Sequence, residues 1–292
     1  MDRKCNQFQE IAGRVLAVEV VYNVDIKESI TLFTLAESLN SIDTKLDLLI
    51  YDNSSESMMS ASEELPPQLN IIYIHDSSNP GVSKAYNEGL QLAHRLGKSW
   101  LLLLDQDTSF PSDSLPLYCE AINSGKANLY APFLKSGNVT LSPCSFRMGI
   151  GAPLKEVTKG TMSLQHRSIL NSGMLINVDA MKKIGGFDER IPLDFADHDF
   201  CRRFASRFGE AYILDMDCGH GFSDREETPL ASALARFTFF CQGARNSIRS
   251  PLDRLTHPLA MLVRCLVLSL RYRTFRFWPL LLRGMTGQSR DA

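Results

Sequence analysis

The feature that most constrains the fold is an apolar run at residues 101–104 that ends in two carboxylates, Asp105 and Asp107, separated by Gln106. An apolar run bounded in this way is typical of a strand that is covered on both faces. Such strands occur in parallel sheets with helices on both sides, and ligands bind at the carboxyl ends of those strands. The run therefore predicts an α/β protein with both aspartates at a ligand-binding edge.

The first hundred residues support this prediction because strand-like and helix-like segments alternate along them. Strand-like segments cover residues 14–22, 46–51, 70–74 and 100–104, and helix-like segments cover residues 26–39 and 82–96. Alternation at this spacing predicts a mostly parallel central sheet flanked by helices. Each predicted strand is followed by a polar loop that is rich in Asp and Asn. Since parallel strands end along one edge, we expect these loops to converge on one site.

Composition narrows the class of protein. The chain has 292 residues, of which 44% are hydrophobic, enough for one large domain or for a domain with an appendage. Its formal net charge of −2 offers no general attraction to nucleic acid, so we expect no nucleic-acid partner. The seven cysteines include no C-x-x-C pair, so the sequence indicates neither a disulfide framework nor a zinc site. The polar residues 1–10 do not resemble a signal peptide, and we expect a cytoplasmic location.

The C-terminal segment differs from the rest of the chain. Residues 255–285 contain no Asp or Glu, but they contain five arginines and many large apolar residues. The arginines interrupt each apolar run before it reaches the roughly 18 residues that a membrane-spanning helix needs. Such a segment suits the surface of an anionic membrane. A helix pair packed on the main domain, or an oligomer contact, is the alternative.

Two loops place further polar residues near the predicted edge. Asp52 ends the second strand, where its carboxylate can accept a hydrogen bond from the imide N–H of uracil or thymine, or can close an Asx turn. A loop containing Asn79 and Gly81 leads into the helix that carries Asn87. Glycine there lets backbone approach a ligand, and the helix N-terminus offers N–H groups to an anion. An ordinary proline-glycine turn would use the same residue types.

A third acidic segment opens the helix predicted over residues 195–208. Asp199 and Arg203 are four positions apart, a spacing that lets them form a stabilising pair on one face of the helix. Asp197 lies at the helix start, where a carboxylate caps free N–H groups and complements the helix dipole. Capping alone would account for Asp197.

Taken in order, these motifs resemble those of the inverting, nucleotide-sugar-dependent family-two glycosyltransferases of the GT-A fold. The resemblance extends from about residue 18 to about residue 223. Its matching positions are Tyr22-Asn23, Asp52-Asn53-Ser54-Ser55, Asn79-x-Gly81, Ala85-x-Asn87-x-Gly89, Asp105-x-Asp107, Asn171-Ser172-Gly173, Gly185-Gly186-Phe187-Asp188-Glu189 and Asp197-x-Asp199 with Arg203. The resemblance implies a GT-A domain over residues 1–228 and leaves residues 229–292 as a helical, basic and apolar extension.

The resemblance also implies roles for individual residues. The nucleotide-sugar site would include Asn23, Asp52, Asn79, Gly81, Asn87, Asp105, Gln106 and Arg203, and a Mg²⁺ or Mn²⁺ ion would bind Asp107, Asp105 and His220. Asp197 would be the general base. Ala196 stands where an acidic residue often precedes the base, and His198 separates the two aspartates. Asp199 therefore stays an alternative base, with Asp194 as a weaker third candidate.

The subgroup follows from the same resemblance. Asp105-Gln106-Asp107 and residues 193–197 are similar to the branch that contains dTDP-L-rhamnose-dependent rhamnosyltransferases of O-antigen and capsule synthesis. A glycan or lipid-linked acceptor and a peripheral position on the cytoplasmic face of the inner membrane are then expected. A UDP-sugar-dependent enzyme of the same fold and a non-catalytic, membrane-docked scaffold are the alternatives. Residues 138–159, rich in Gly, Pro, Ser and Thr, predict a hairpin or mobile loop that could close over the donor.

Overall fold

A computed structural model describes residues 3–59, 65–147, 149–154, 156–221 and 229–287. The helices are α1 (Arg3–Ala12), α2 (Ile30–Asn40), α3 (Val82–Arg95), α4 (Ser114–Ser124), α5 (Val178–Lys183), α6 (Ala196–Phe208), α7 (Leu230–Asn246), α8 (Asp253–Arg271) and α9 (Phe277–Thr286). The strands are β1 (Val15–Val21), β2 (Leu46–Asp52), β3 (Leu69–His75), β4 (Trp100–Asp105), β5 (Thr108–Ser109), β6 (Leu129–Ser136), β7 (Val139–Ser142), β8 (Cys144–Arg147), β9 (Ile150–Pro153), β10 (Gly160–Ser163), β11 (Arg167–Ser168), β12 (Met174–Asn177) and β13 (Glu210–His220).

The central sheet has the strand order β10-β13-β6-β12-β4-β1-β2-β3. Its β4-β1-β2-β3 half is parallel throughout, as the alternation of segments predicts. In the other half β12 runs antiparallel to both β4 and β6, whereas β13 runs parallel to β6. A small antiparallel sheet, β11-β8-β9, takes β8 and β9 from the segment predicted as a hairpin or loop, residues 138–159, and β11 from beyond it. The fold is thus α/β with a mostly parallel central sheet flanked by helices, as expected.

Both faces of the sheet are covered, which explains the continuous apolar runs of the strands. On one face, side chains such as Leu103 pack with Tyr86 of α3 and Phe200 of α6. On the other face, Leu102 packs with Leu35 of α2 and with α4. Helix α3 lies so near β1 that a Cβ atom added at Gly89 would come within 2.3 Å of the side chain of Val18. Gly89 therefore serves helix–sheet packing.

Residues 229–287 include the helices α7, α8 and α9, and these helices share the main core. Phe237 of α7, Met261 of α8 and Phe277 of α9 belong to the same buried cluster as Phe200 of α6. The predicted division at residue 228 falls at the edge of residues 222–228, which lie outside the described part, so this boundary stays a prediction. In the described part of the chain, each helix is too short or too polar to cross a bilayer.

Candidate active site

The predicted convergence at the carboxyl edge of the sheet is confirmed by strand register. Asp52 lies beside Val21, and Asp105 lies beside Val20, so β2 and β4 end on either side of the end of β1. The amide of Gln106 then joins β4 to the turn after β1, because it accepts a hydrogen bond from Tyr22 N (2.8 Å) and donates one to Tyr22 O (3.3 Å). The Gln106 side chain thus continues the hydrogen bonding between β1 and β4 beyond the ends of the two strands.

Asp52 is buried beneath the loop that follows it. Its carboxylate accepts hydrogen bonds from Ser54 N (2.9 Å), Met58 N (2.8 Å) and the Tyr73 hydroxyl (2.6 Å). Burial alone would raise the pKa of Asp52, but these hydrogen bonds outweigh it and hold the pKa below its ordinary value. The bond from Ser54 N is the Asx turn that the sequence left open. The Ser54 hydroxyl in turn accepts a hydrogen bond from Asn23 N (2.8 Å). The base-binding roles of Asp52 and Asn23 stay predictions.

Asp105, Asp107 and His220 come together at the ends of β4 and β13. Strand β5 pairs Thr108 with His220, which places His220 Nδ1 3.4 Å from Asp107 Oδ1 and 2.9 Å from the Thr108 hydroxyl. Asp105 Oδ1 accepts a hydrogen bond from the Tyr86 hydroxyl (3.0 Å). Burial raises the pKa of Asp105 to about 6, and the negative charges of Asp107 and Asp197 add to this while His220 opposes it. Burial also raises the pKa of Asp107, again opposed by His220.

Hydroxyl groups of α2 hold the backbone of this acidic turn. The Thr31 hydroxyl donates to Thr108 O (2.8 Å) and accepts from Thr108 N (2.9 Å), and the Ser29 hydroxyl donates to Gln106 O (3.3 Å). Because a hydroxyl group has one proton, Ser29 shares it between Gln106 O and the buried carboxylate of Glu19. Sequence reasoning missed these residues because a hydroxyl in the first turn of a helix is usually interpreted as a cap, which Ser29 also is.

The acidic residues suit a cation that is shared with a ligand. Within the described residues, no group of three or more His, Cys, Asp or Glu side chains is arranged to hold a metal ion by itself. Mg²⁺ is usually held by one or two carboxylates and completes its shell with water and substrate phosphates. Two neighbouring, partly buried carboxylates with raised pKa values are the environment that a divalent cation stabilises. Asp107 and Asp105, with His220 adjacent, therefore fit the expected ion, although the assignment stays a prediction.

Asp197 lies in the first turn of α6, next to a strained residue. Phe195, which precedes the helix, has φ +74°, a backbone conformation that a bulky residue rarely adopts. Asp197 Oδ1 accepts a hydrogen bond from His198 N (2.7 Å), and its side chain stays 15% exposed. The His198 ring stacks on Phe146 at 3.9 Å, and its Nδ1 lies 2.7 Å from the Ser168 hydroxyl. His198 therefore joins α6 to the small sheet.

Asp199 has a different environment, because its fully buried carboxylate faces three guanidinium groups. Arg203 Nε lies 2.8 Å from Oδ2, Arg249 Nε lies 3.0 Å from Oδ1, and Arg202 is 3.5 Å away. The predicted contact of Asp199 with Arg203 is thus confirmed. Arg203 also donates to Ile184 O (2.8 Å) and to Gly186 O. Arg249 was missed because it follows Asp199 by fifty residues and belongs to no recognised motif.

Gly81 and Asn87 connect α3 to the segment that precedes α6. Gly81 has φ +92°, and a Cβ atom added there would lie 2.1 Å from Pro192 O. Val82 N donates to that same oxygen (2.7 Å), so this N–H of the helix start is already used. Asn87 accepts from Phe187 N (2.9 Å) and donates to Phe187 O (3.0 Å). The close approach that Gly81 allows is therefore to protein backbone. The roles of Asn79, Gly81 and Asn87 in nucleotide binding stay predictions.

The chain is similar to known glycosyltransferases in sequence and in fold. The family model described as "Glycosyl transferase family 2" matches residues 18–178. The dTDP-rhamnosyl transferase RfbF of Shigella flexneri is 22% identical over 272 residues, which cover 90% of this chain and 88% of that protein. A crystal structure of residues 1–349 of S. aureus TarS matches with a TM-score of 0.53 at 13% identity, covering 95% of this chain and 93% of that one.

TarS has also been solved with ligands. Its complex with UDP matches with a TM-score of 0.52 at 13% identity, covering 95% of this chain and 93% of that one. Its complex with UDP-GlcNAc matches with a TM-score of 0.52 at 14% identity, covering 93% and 79%. These similarities show that the folds agree. Because the family model matches more than half of the chain, and because its motifs line the carboxyl edge described above, the protein belongs to glycosyl transferase family 2 and is a glycosyltransferase.

Proposed function

We propose that the protein transfers L-rhamnose, with inversion, from dTDP-L-rhamnose to a glycan or lipid-linked acceptor in the synthesis of a bacterial surface polysaccharide. The observation that carries the reaction type is the position of Asp197 in the first turn of α6, where its carboxylate accepts a hydrogen bond from His198 N and its side chain stays 15% exposed. The similarity to a dTDP-rhamnosyl transferase over 90% of the chain favours the donor.

Asp197 would act as the general base. It would take the proton of an acceptor hydroxyl as that oxygen forms a bond to the anomeric carbon of the donor. The bond from the anomeric carbon to the diphosphate breaks in the same step, and nucleoside diphosphate leaves. Proton removal of this kind contributes typically about 10²–10⁴-fold to the rate. The hydrogen bond from His198 N and the strained turn at Phe195 would hold the carboxylate in place.

Asp199 would be a positioning residue rather than the base. Its oxygens are occupied by Arg203 and Arg249, which leaves it little capacity to accept a substrate proton. Through Arg203 the same carboxylate fixes the carbonyl groups of Ile184 and Gly186. The expected contribution of Asp199 is therefore to the orientation of α6. Asp194 lies outside the helix, just before the strained turn, and stays the weakest of the three candidates.

A bound Mg²⁺ or Mn²⁺ ion would supply positive charge that stabilises the diphosphate leaving group. Asp107 and His220 would hold it, with Asp105 close by. The hydroxyls of Thr31, Thr108 and Ser172 would keep these ligands in register through the contacts described above and a 2.8 Å contact between the last two.

The remaining nucleotide contacts are proposed from the family resemblance and from position in the fold. Asp52 and Asn23 would flank the pyrimidine base at the ends of β2 and β1, and Gln106 would keep the two neighbouring strand ends apart at a fixed spacing. Asn79, Gly81, Asn87 and Arg203 would define the side of the pocket nearer α3 and the turn at residues 184–192. Residues 138–159 would close over the donor and exclude water, although Met148 and Lys155 lie outside the described residues.

A UDP-sugar donor is the second candidate, and the solved complexes of the similarly folded TarS with UDP and UDP-GlcNAc favour it. Calorimetric binding of dTDP, UDP and GDP, each with and without Mg²⁺ or Mn²⁺, separates the two. Tight, metal-dependent binding of dTDP alone would support the rhamnosyl donor. Preference for UDP would keep the mechanism and overturn the donor. Failure to bind any of the three would overturn the proposal in favour of a scaffold.

We also propose that residues 229–292 form a C-terminal helical segment packed on a GT-A domain of residues 1–228, and that the enzyme is cytoplasmic and peripheral on the inner membrane. The basic, apolar character of this segment supports the membrane location. An oligomer contact is the alternative use of the same residues.

A further inference from the structure

Helix α8 presents an apolar face to solvent. Its inner face, with His257, Met261 and Cys265, is buried against the rest of the protein. The opposite face carries large apolar side chains at helical spacing that are 43–78% exposed: Leu255, Leu259, Val263, Leu266, Val267 and Leu270. Both faces of this helix are thus apolar, which is typical of a helix with a partner on each side.

Large exposed apolar residues also follow α8 along the chain. Phe275, in the turn between α8 and α9, is 82% exposed, and Leu282 of α9 is 61% exposed. Single exposed apolar residues are common, but a run of this extent on one helix marks an interaction surface. Helix α8 does not qualify as a membrane span. Its geometry instead suits a helix that lies in the plane of a membrane interface.

The charge of the segment indicates what covers this face. Residues 254–287 contain six arginines and no Asp, Glu or Lys, in a chain whose formal net charge is −2. A second copy docking on the same face by two-fold symmetry would place these arginines near one another, without acidic residues in the segment to compensate them. Anionic lipid headgroups would compensate them and would accept the apolar side chains below.

Contacts on the inner side of α8 connect it to the helix that carries Asp197. Asp253, at the start of α8, accepts a hydrogen bond from Arg202 of α6 (2.8 Å). The ring of His257 lies 5.3 Å from that of Phe195, the strained residue two positions before Asp197. These contacts hold α8 and α6 together. A surface that binds α8 therefore also sets the orientation of Asp197, the proposed base, relative to that surface.

We propose that the exposed face of α8 docks the enzyme on an anionic lipid bilayer, with α8 parallel to the surface and the arginines at residues 271–283 among the headgroups. The docking surface presents the site to an acceptor sugar carried by a lipid of the same bilayer. The lipid-linked acceptor rests on the transferase activity proposed above, whereas the docking extends the membrane location proposed there and can be tested without that activity.

The test is co-sedimentation of the full chain with vesicles of phosphatidylcholine alone or mixed with phosphatidylglycerol, at low and high salt. Wild type should bind the mixed vesicles, more weakly at high salt. Leu259→Ser with Leu270→Ser should reduce binding about 10-fold or more, since each substitution removes an exposed leucine side chain that the bilayer would bury. Leu96→Ser with Phe33→Ser is the matched control, because both residues are exposed apolar residues outside α8 and outside the proposed donor site; it should bind like wild type.

A charge variant tests the second half of the proposal. Arg271→Gln with Arg276→Gln removes two exposed arginines, and each should reduce binding to the anionic vesicles roughly fivefold. Binding of dTDP or UDP, measured without vesicles, should be unchanged in every variant, which shows that the fold is intact and keeps this result separate from the proposed donor.

Three results would overturn the proposal. The first is no vesicle binding by wild type at low salt. The second is equal loss of binding in the matched control. The third is a wild-type protein that does not bind vesicles and is a dimer by light scattering, whereas Leu259→Ser with Leu270→Ser is a monomer. This result would assign the exposed face of α8 to a second copy of the chain. If wild type binds vesicles but binds no nucleotide, the docking stands and the proposed function falls.

Discussion

Asp197 and Asp199 are separated by one residue on α6, but replacing each by asparagine should have a different effect: one variant should lose turnover and the other should lose stability. In Asp197→Asn the amide oxygen can still accept the hydrogen bond from His198 N, which Asp197 Oδ1 accepts at 2.7 Å. The fold and the nucleotide affinity should therefore be retained. The variant loses only the group that accepts a proton, so turnover should fall by about 10²–10⁴-fold.

Asp199→Asn should instead cost stability. It removes the negative charge that faces Arg203 Nε at 2.8 Å and Arg249 Nε at 3.0 Å, while both arginines remain. Breaking a buried ion pair costs about 3–5 kcal/mol, and we expect about 3 kcal/mol because the two arginine side chains are 23% and 33% exposed and keep part of their hydration. At roughly 2–4 °C per kcal/mol, the melting temperature should fall by roughly 6–12 °C.

The assay combines three measurements on each variant. Calorimetry gives the melting temperature and the affinity for dTDP, and release of dTDP from dTDP-L-rhamnose, with a bacterial lipid extract as the acceptor source, gives turnover. Asp215→Asn is a suitable control because Asp215 pairs with Lys159 at the surface, where both side chains are at least 65% exposed. Such a pair contributes about 0–1 kcal/mol, so this variant should behave like wild type.

Wild-type turnover in Asp197→Asn would refute the assignment of the base. The opposite pattern would be equally informative: if Asp199→Asn lost turnover while its melting temperature and dTDP affinity stayed at wild-type values, Asp199 would be the base. In that case the three guanidinium groups around it would not be structural partners alone.

Three further predictions concern the acidic turn and its supports. Asp107→Ala should abolish the increase in dTDP affinity that Mg²⁺ or Mn²⁺ produces, a loss of about 10-fold or more, while the affinity without metal stays unchanged. Calorimetry with and without the ion measures both affinities, and an unchanged effect of the metal would contradict the assignment. Burial raises the pKa of Glu19 from 4.5 to about 7, so the folded protein binds this proton more tightly than the unfolded chain and its stability falls as pH rises through that window. Glu19→Gln should therefore exceed wild type in stability by on the order of 3 kcal/mol above pH 7 but by little near pH 4.5, as urea unfolding at both pH values would show; a constant difference would argue against the titration. Gly81→Ala should cost about 2 kcal/mol or more because its Cβ atom would meet Pro192 O, whereas Gly97→Ala, also at positive φ but in open space, should cost only about 1 kcal/mol; equal melting temperatures for the two variants would show that the contact with Pro192 relaxes freely.

The parallel half of the sheet was predictable because its strands can be recognised from their own apolar sequences. Residues 101–104 are apolar without interruption, and the same holds for most of β1 and β2, so burial on both faces follows from the sequence of each strand alone. Helix α1 was missed because its buried residues, Phe8, Ile11 and Ala12, are too few to produce a recognisable apolar period in a polar segment.

The antiparallel half was not predictable from local pattern. Strand β12 has the same apolar character whether it runs parallel or antiparallel to β4, and only the path of the chain between them decides its direction. The family resemblance marked Ser172 as part of a motif, but its contacts with Asp105 N and the Thr108 hydroxyl join positions more than sixty residues apart. Such pairings leave no signal in a single sequence.

The candidate site shows the same limit. The positions of Asp105 and Asp107 at the carboxyl edge followed from physical reasoning on the strand that precedes them. His220 was identified by resemblance only, because a histidine in a glycine-containing segment has no distinctive local pattern. Gly81 was recognised as a close-approach position, but whether backbone or ligand makes the approach depends on where Pro192 lies in space.

The ion-pair network around α6 limits how this enzyme can be recombined with its relatives. Arg249, which follows α7, reaches both Asp199 and Asp188, the latter at 2.6 Å. A chimera joined at residue 228 would combine these two aspartates with a foreign C-terminal segment and remove their arginine. Exchange of acceptor specificity by segment swapping should therefore succeed in two cases. Either the relative that provides the C-terminal segment has an arginine at the position of Arg249, or the junction lies upstream of Asp188, so that the whole network comes from one parent.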